Sequence, residues 1–339
     1  MKKSRLILSA MRNGTLVLTA GLLMTMQCLL GPVTANASDE LDENLTQVPA
    51  AYAEAYVTPV VVGSAANLTS GLYTNAAIGK EKLTFEFGLK FMGTYLNESD
   101  QSFRSYQTVR LDEELGFDPG HPLYGRDAVL EYVGPTVLGG ETGPGEDGTG
   151  QANLYVDGVS VRSEDTIAGI VETRWVPLAI PEASVGGIAG FKFTLRFLPS
   201  ISISDLGKLQ VLGLGAQYGV NNLLQDLPID VVVGYFYQNV DIGESLSTDA
   251  NSFFLGLSRT EGVLTIYGGG ALESSTTKVD YTWESGNSTL GDVPVSFEID
   301  GAQDYRLTIG AMIDAGIRIN AEANAGDLVV YSAGLMFGF

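Results

Sequence analysis

The chain runs out in Leu328-Val-Val-Tyr-Ser-Ala-Gly-Leu-Met-Phe-Gly-Phe339, twelve residues that sort cleanly by twos. Val329, Tyr331, Ala333, Leu335, Phe337 and Phe339 fall on one face of an extended strand. Leu328, Val330, Ser332, Gly334, Met336 and Gly338 fall on the other, because successive side chains of a strand point to opposite sides. The first face is continuously apolar, and the second is mostly small. A soluble antiparallel sheet commonly turns one face to water and carries Lys, Glu, Arg or Asp there. This stretch carries none on either face. A strand of about ten residues, apolar on one side and aromatic near its end, fits the wall of a closed barrel crossing a bilayer.

The same sorting recurs upstream. Leu83, Phe85, Phe87, Leu89 and Phe91 oppose Thr84, Glu86, Gly88, Lys90 and Met92. Phe191, Phe193, Leu195 and Phe197 oppose Lys192, Thr194 and Arg196. Leu212, Leu214, Ala216 and Tyr218 oppose Gly213, Gly215, Gln217 and Gly219, and Val231, Val233, Tyr235 and Tyr237 oppose Asp230, Val232, Gly234 and Phe236. Tyr305, Leu307, Ile309, Ala311 and Ile313 oppose Arg306, Thr308, Gly310, Met312 and Asp314. The fold expected is all-β, a transmembrane antiparallel up-and-down β-barrel of about 12 strands, within a range of about 10 to 14, since single-chain bacterial barrels have even strand numbers. Phe103 to Leu111 is expected to return beside residues 83–95, with 153–161 and 166–176 as a further hairpin. Residues 112–150, rich in Gly and Pro, read as a long external loop with a short strand at 128–133, in keeping with the short turns at one end of such barrels and long loops at the other.

Three segments organise the 339 residues. Residues 1–37 carry Lys2, Lys3, Arg5 and Arg12, an apolar run over 16–30 and the A-x-A pattern Ala35-Asn-Ala37, the marks of a cleaved signal peptide. Cys28, the one cysteine, lies inside it, so thiol nucleophiles, disulfides and thiolate metal sites are excluded from the mature chain. Residues 38–79 are expected to form an N-terminal plug. Leu41, Leu45, Val48, Tyr52, Ala55 and Tyr56 recur at helical intervals, Pro59 should end or kink the helix, and 60–73 is small, apolar and irregular. Such a segment is too apolar for water and too irregular for lipid, where unpaired backbone is costly. Residues 80–339 are expected to form the outer-membrane barrel.

Charge narrows the function. The signal holds four of the 19 basic residues and none of the 40 acidic ones. The balance that remains repels nucleic acid. Near the midplane a charge facing lipid costs about 2–4 kcal/mol. The shared parity of Glu86, Lys90, Lys192, Arg196, Asp230, Arg306 and Asp314 therefore places them as lumen-lining candidates. They either pair with one another and with the plug backbone, or line a pore that selects by charge. Inward Gly213, Gly215, Gly219, Gly234 and Gly310 leave room for a packed segment. His121, the one histidine, stands between Gly120 and Pro122 without a serine motif nearby; it reads as a loop residue, and the chain as no enzyme. Asp112, Glu113, Glu114 and Asp118, and likewise Glu141, Glu146 and Asp147, lack the spacing of a calcium loop. They read as surface acid, and neither a metal nor a cofactor is expected.

Three stretches carry a family likeness: Ala66-Asn-Leu-Thr-Ser-Gly-Leu-Tyr-Thr-Asn-Ala76, Phe193-Thr-Leu-Arg-Phe-Leu-Pro199 with the preceding 177–187, and Ile266-Tyr-Gly-Gly-Gly270. With them the chain resembles an uncharacterised family of Gram-negative outer-membrane β-barrel proteins, from about residue 51 to 339. Its arrangement is also similar to fatty-acid-transporter-type barrels, without their hatch motif. The first resemblance implies a barrel preceded by a plug and no assigned activity. The terminal Tyr331, Leu335, Phe337 and Phe339 resemble the signal that the barrel-assembly machinery reads. The function expected is a plugged passive channel or transporter for a small molecule, a hydrophobic one among the options. The alternative is a non-transporting surface protein whose acidic loops bind a partner. The expected location is the cell outer membrane, the expected state a monomer, and the expected partners are membrane lipid, the assembly machinery and a small hydrophobic ligand.

Overall fold

A computed structural model describes residues 40–202, 207–224, 227–285 and 291–338; the signal peptide read over 1–37 and Phe339 lie outside them. Among the described residues fifteen strands form two sheets. The larger sheet closes on itself. Its ten ring strands are β1 (Thr84–Tyr95), β6 (Trp175–Ile188), β7 (Phe191–Ser202), β8 (Lys208–Gly219), β9 (Asp230–Ile242), β10 (Leu246–Glu261), β11 (Leu264–Glu284), β13 (Tyr305–Asp314), β14 (Ile317–Ala325) and β15 (Val329–Gly338). Every neighbouring pair is antiparallel, and β1 joins β15 to complete the ring. Closure leaves no edge strand, which is how a sheet can face hydrocarbon. Among the described residues no helix is long and apolar enough to cross a membrane.

Side chains sort around this ring by parity. Phe193, Leu195, Leu214, Tyr235, Phe253, Leu307, Ile309, Ile319 and Tyr331 are exposed on the outer face, whereas Arg196, Phe236, Tyr267, Arg306, Val330 and Met336 are buried inside. An exposed band of Phe, Leu, Ile and Tyr is what a surface against hydrocarbon requires. Tyr95, Trp175 and Tyr331 cluster at one end of the band, with ring centroids 5.0 and 6.1 Å apart, as interfacial aromatics do.

The two ends of the ring differ. At the turn end, residues 189–190, 262–263 and 315–316 are two-residue hairpins. Ala189 and Gly190 both take positive φ there, at 53° and 88°, which matches the twist of a tight hairpin. At the loop end the chain between β1 and β6 builds a second sheet of β2 (Ser102–Arg110), β3 (Asp127–Pro135), β4 (Gln151–Val156) and β5 (Val159–Asp165). Its own small core is Leu111, Phe117, Ala128, Leu154 and Val156. β12 (Asp292–Asp300) pairs only with the loop-end half of β11 and lies outside the ring.

Several expectations are corrected here. Residues 103–111 do not return beside β1; its neighbours are β6 and β15, and β2 pairs with β3. Alternation marks a strand without naming its partner, because pairing depends on contacts distant in sequence. The hairpin expected over 153–161 and 166–176 is instead β4 with β5, turning at Asp157 and Gly158, which both take positive φ. The single helix expected before Pro59 is two, α1 (Glu40–Thr46) and α2 (Ala50–Leu68), with Pro49 as the extended residue before α2. α2 neither ends nor stops being helical at Pro59. Thirteen of its residues are buried, and inside an apolar enclosure a chain that left the helix would strand its backbone groups without partners.

Candidate functional site

α2 and residues 69–78 run lengthwise through the ring. At the loop end the Asp42 carboxylate of α1 accepts the backbone N–H groups of Glu244 and Ser245, at 2.8 and 3.1 Å. At the turn end Asn222 Nδ2 donates to the Ile78 carbonyl at 2.7 Å. Between these points the segment is hydrogen-bonded to nine of the ten ring strands, through Thr94, Val176, Arg196, Gln217, Gln238, Ser258, Glu273, Arg306 and Glu322. Contacts on so many sides place it within the lumen.

The interior is layered. Nearest the loop end it is apolar: Val176, Leu178, Ile180, Leu198, Val211, Val240 and Val279 pack on Tyr56, Val57, Val60 and Val61 of α2. Tyr52 closes this layer above. Thr166 Oγ1 donates to its hydroxyl at 2.9 Å, and burial, opposed by that hydrogen bond, pushes its phenol up to about 12.

The second layer is charged. A helix leaves its last carbonyls unpaired and its C-terminus carries partial negative charge. Two buried guanidiniums meet that end of α2. Arg196 donates from Nη1 to the Leu68 and Ser70 carbonyls at 3.3 and 3.0 Å, from Nη2 to Gly71 O at 2.6 Å, and from Nε to Glu182 Oε2 at 2.9 Å. Arg306 donates from Nη2 to Ala66 O and Thr69 Oγ1, both at 2.7 Å, and pairs with Glu273 at 2.8 Å. Gln238 also donates to Leu68 O. Glu322 accepts Gly71 N–H and the Tyr267 hydroxyl, each at 2.9 Å, and Lys90 reaches Asn320 at 3.3 Å. Arg196 is 0% exposed, and Arg306 and Lys90 are 2% exposed, so these three cations are shielded from water. Burying these charges is costly, and the Glu182 and Glu273 carboxylates together with the α2 carbonyls offset much of that cost, although Arg306 Nη1 is buried without a partner.

Below lies an aromatic layer of Tyr73, Phe236, Phe254, Tyr267 and Met312. Tyr73, from the threaded segment, stacks on Phe254 with centroids 5.0 Å apart and planes 9° apart. The inward glycines serve this layer. Phe236 lies against Gly215, Phe254 against Gly234 and Tyr267 against Gly310, where any Cβ would collide with the ring. At the turn end Glu86 bridges Lys192, at 2.5 Å, and Arg318, while Arg318 Nε holds Asp314 at 2.8 Å.

Of the sequence-picked residues, then, Glu86, Lys192 and Asp314 meet in the turn-end cluster, and Lys90, Arg196 and Arg306 lie in the charged layer. Asp230 is half-buried at the start of β9, apart from both. Of the terminal-signal residues, Tyr331 and Leu335 are exposed on the outer face, and Phe337 stacks on Phe87 at 5.5 Å. Sequence reading missed the acidic partners. Glu182 sits among prolines that disguise its strand, and Glu273 follows a glycine run, 268–270, that obscures the alternation of its own. Arg318, Asn320 and Glu322 alternate with Ile317, Ile319 and Ala321, and that pattern was signal enough. His121 is exposed in a turn near the outer sheet, 5.0 Å from the Phe117 ring. Among the described residues no three His, Cys, Asp or Glu side chains are placed to hold a metal ion.

Comparison with known proteins adds a family. The sequence matches a family of unknown function (DUF6588) over residues 11–339, and the chain belongs to it. No curated protein matches it. Among solved structures it is similar to OmpT of Vibrio cholerae in its trimer form, at 8% identity and TM-score 0.25 over 76% of this chain and 99% of that one. OmpF of Salmonella typhi, in complex with daunomycin, matches at 9% identity and TM-score 0.21 over 77% and 98%. A mutant porin of Rh. blastica matches at 10% identity and TM-score 0.15 over 76% and 100%. No fatty-acid transporter is among these three. Such overlaps carry no weight beyond the ladder itself, which establishes the barrel.

Proposed function

We propose that this member of a family without assigned function resides in the outer membrane, is held closed to water and ions by residues 50–78, and passes a small apolar molecule rather than hydrophilic solutes. One observation carries the reading: the end of α2 is locked by two buried arginines, Arg196 and Arg306, across the full width of the lumen. A pore for ions needs water at that level. The apolar layer above it, and the apolar outer band, support traffic in a molecule of low polarity. The short-turn end then faces the periplasm, and the outer sheet and α1 face the exterior.

The test is reconstitution. In planar bilayers the intact chain should show no conductance steps, and a variant lacking residues 40–78 should conduct. Steady conductance by the intact chain, or silence of the shortened one, would sink the closure. Vesicles holding the intact chain should also take up N-phenyl-1-naphthylamine faster than empty ones. A second reading, a surface protein that transports nothing, is favoured by the outer sheet, whose β5 is exposed along its whole length. Equal uptake with and without the protein would favour it.

A further inference from the structure

The wall of the ring is not hydrogen-bonded everywhere. β6 pairs with β1 along its whole usable length, from Gly186 to Trp175, and β7 pairs with β8 as far as Ser202. Between β6 and β7 themselves the ladder runs only from Ile188↔Phe191 to Glu182↔Arg196. Residues 175–181 and 197–202 face each other without a paired position. Among the described residues the ring strands hold three prolines, Pro177, Pro181 and Pro199, and all three are on this seam.

The prolines explain the parting. An unbroken β1–β6 ladder requires that the N–H missing from Pro177 and Pro181 belong to the edge turned away from β1. That edge points at β7 with two donors deleted. On the other lip Pro199 and Ser200 drop out of the β7–β8 ladder at a bulge, which bends the strand away. Each lip is fixed from elsewhere. α2 approaches β6 closely at Gly63, where a Cβ would sit 2.7 Å from Val176, and Asn67 Nδ2 donates to Val176 O at 2.6 Å. The foot of the seam is pinned by the Arg196–Glu182 pair.

Over its lower part, below Ser200 and Ser202, the seam is apolar on both sides. Outside, Pro177, Ala179, Pro181 and Phe197 lie in the hydrocarbon-facing band, below the Tyr95–Trp175–Tyr331 cluster. Inside, Ile180 at 0% and Leu198 at 1% exposure close it against the apolar layer on α2. Separating two paired strands in hydrocarbon would strand their backbone groups; here that ladder is already absent, so only side chains stand between lumen and bilayer.

We propose that the β6–β7 seam is a lateral gate through which one hydrocarbon tail of a bilayer lipid or fatty acid slides from the outer leaflet into the apolar layer, displacing Ile180 and Leu198. This rests on the closed-lumen reading above and gives it a substrate class and a route. The gate needs no aqueous pore, and the charged layer bars the tail from going deeper.

The test staples the seam. Pro181→Cys with Phe197→Cys places two thiols one rung past the last pair, in a chain whose other cysteine is Cys28 of the signal region. The protein is reconstituted in phosphatidylethanolamine and phosphatidylglycerol vesicles containing a diazirine-bearing stearic acid, illuminated, and mapped by mass spectrometry. The unmodified chain and the reduced variant should be labelled at Ile180, Leu198 and Val57. Oxidation should cut that labelling at least tenfold and leave labelling of outward Phe253 and Leu307 unchanged. The reduced form controls for folding. Interior labelling that ignores oxidation, or labelling confined to outward residues, would overturn the gate. Naphthylamine uptake separates the two readings: uptake that persists in the stapled barrel leaves the carrier standing without this gate, and seam labelling without uptake leaves the gate standing without the carrier.

Discussion

β1 and β15 pair at ten positions without a break, from Glu86↔Gly338 to Tyr95↔Val329, although they are the first and last strands of the ring. β6 and β7, joined by a two-residue hairpin, part above Glu182↔Arg196. Nearness in sequence therefore does not decide which seam zips. The closing seam has every donor it needs, since neither strand contains proline. It is also braced from inside: Glu86 reaches Arg318 and Lys90 reaches Asn320, each passing over β15 from β1 to β14. The β6–β7 seam is braced only over its lower half, by Arg196 with Glu182 and by Lys192 passing over β6 to Glu86, and above these stand prolines on both lips. Donor supply and cross-strand bracing set the difference.

The most disruptive change removes the uppermost brace of the weaker seam. Arg196→Ala leaves Glu182 buried without its cation and the carbonyls of Leu68, Ser70 and Gly71 without their guanidinium. It should destabilise the barrel by about 3–5 kcal/mol, read from urea unfolding in lipid, with faster amide exchange first at 191–196. A loss near zero would mean that the pair braces nothing. Proline scanning then opposes the two seams directly. Ala333→Pro in β15 deletes a donor of a strand paired on both sides and should cost about 1–3 kcal/mol, the penalty of an acceptor left unsatisfied. Ala179→Pro, on the edge already lacking two donors, should stay within about 0.5 kcal/mol. The measurement is the temperature at which the folded band is lost in denaturing gels; equal shifts would erase the contrast. The mildest change makes the weak seam resemble the strong one. Pro177→Val with Pro181→Val restores two donors, each worth about 0.5–1.5 kcal/mol if it finds an acceptor. Amide exchange at 177–181 should slow, and unchanged exchange would show that the bulge at Pro199 alone keeps the lips apart.

Parity was the legible part of this molecule. That Phe193 and Leu195 face out while Arg196 faces in follows from the period of two in an extended backbone, which any strand carries within itself. A closed barrel, its outer band and the inward placement of Lys90, Arg196 and Arg306 could all be read that way. What each inward charge would meet was not legible, because Glu273 faces Arg306, and Glu322 faces Gly71, only through the register of strands and a threaded segment far apart in the chain. The same holds for α2 running on past Pro59, for β2 leaving the ring, and for the seam. Three prolines were visible in the sequence, but whether a strand edge lacking donors ends up paired, exposed or opposite a second such edge is settled by which strands become neighbours. Neighbourhood is a property of the closed ring, fixed when all ten strands satisfy their backbone together, and no single stretch of sequence contains it.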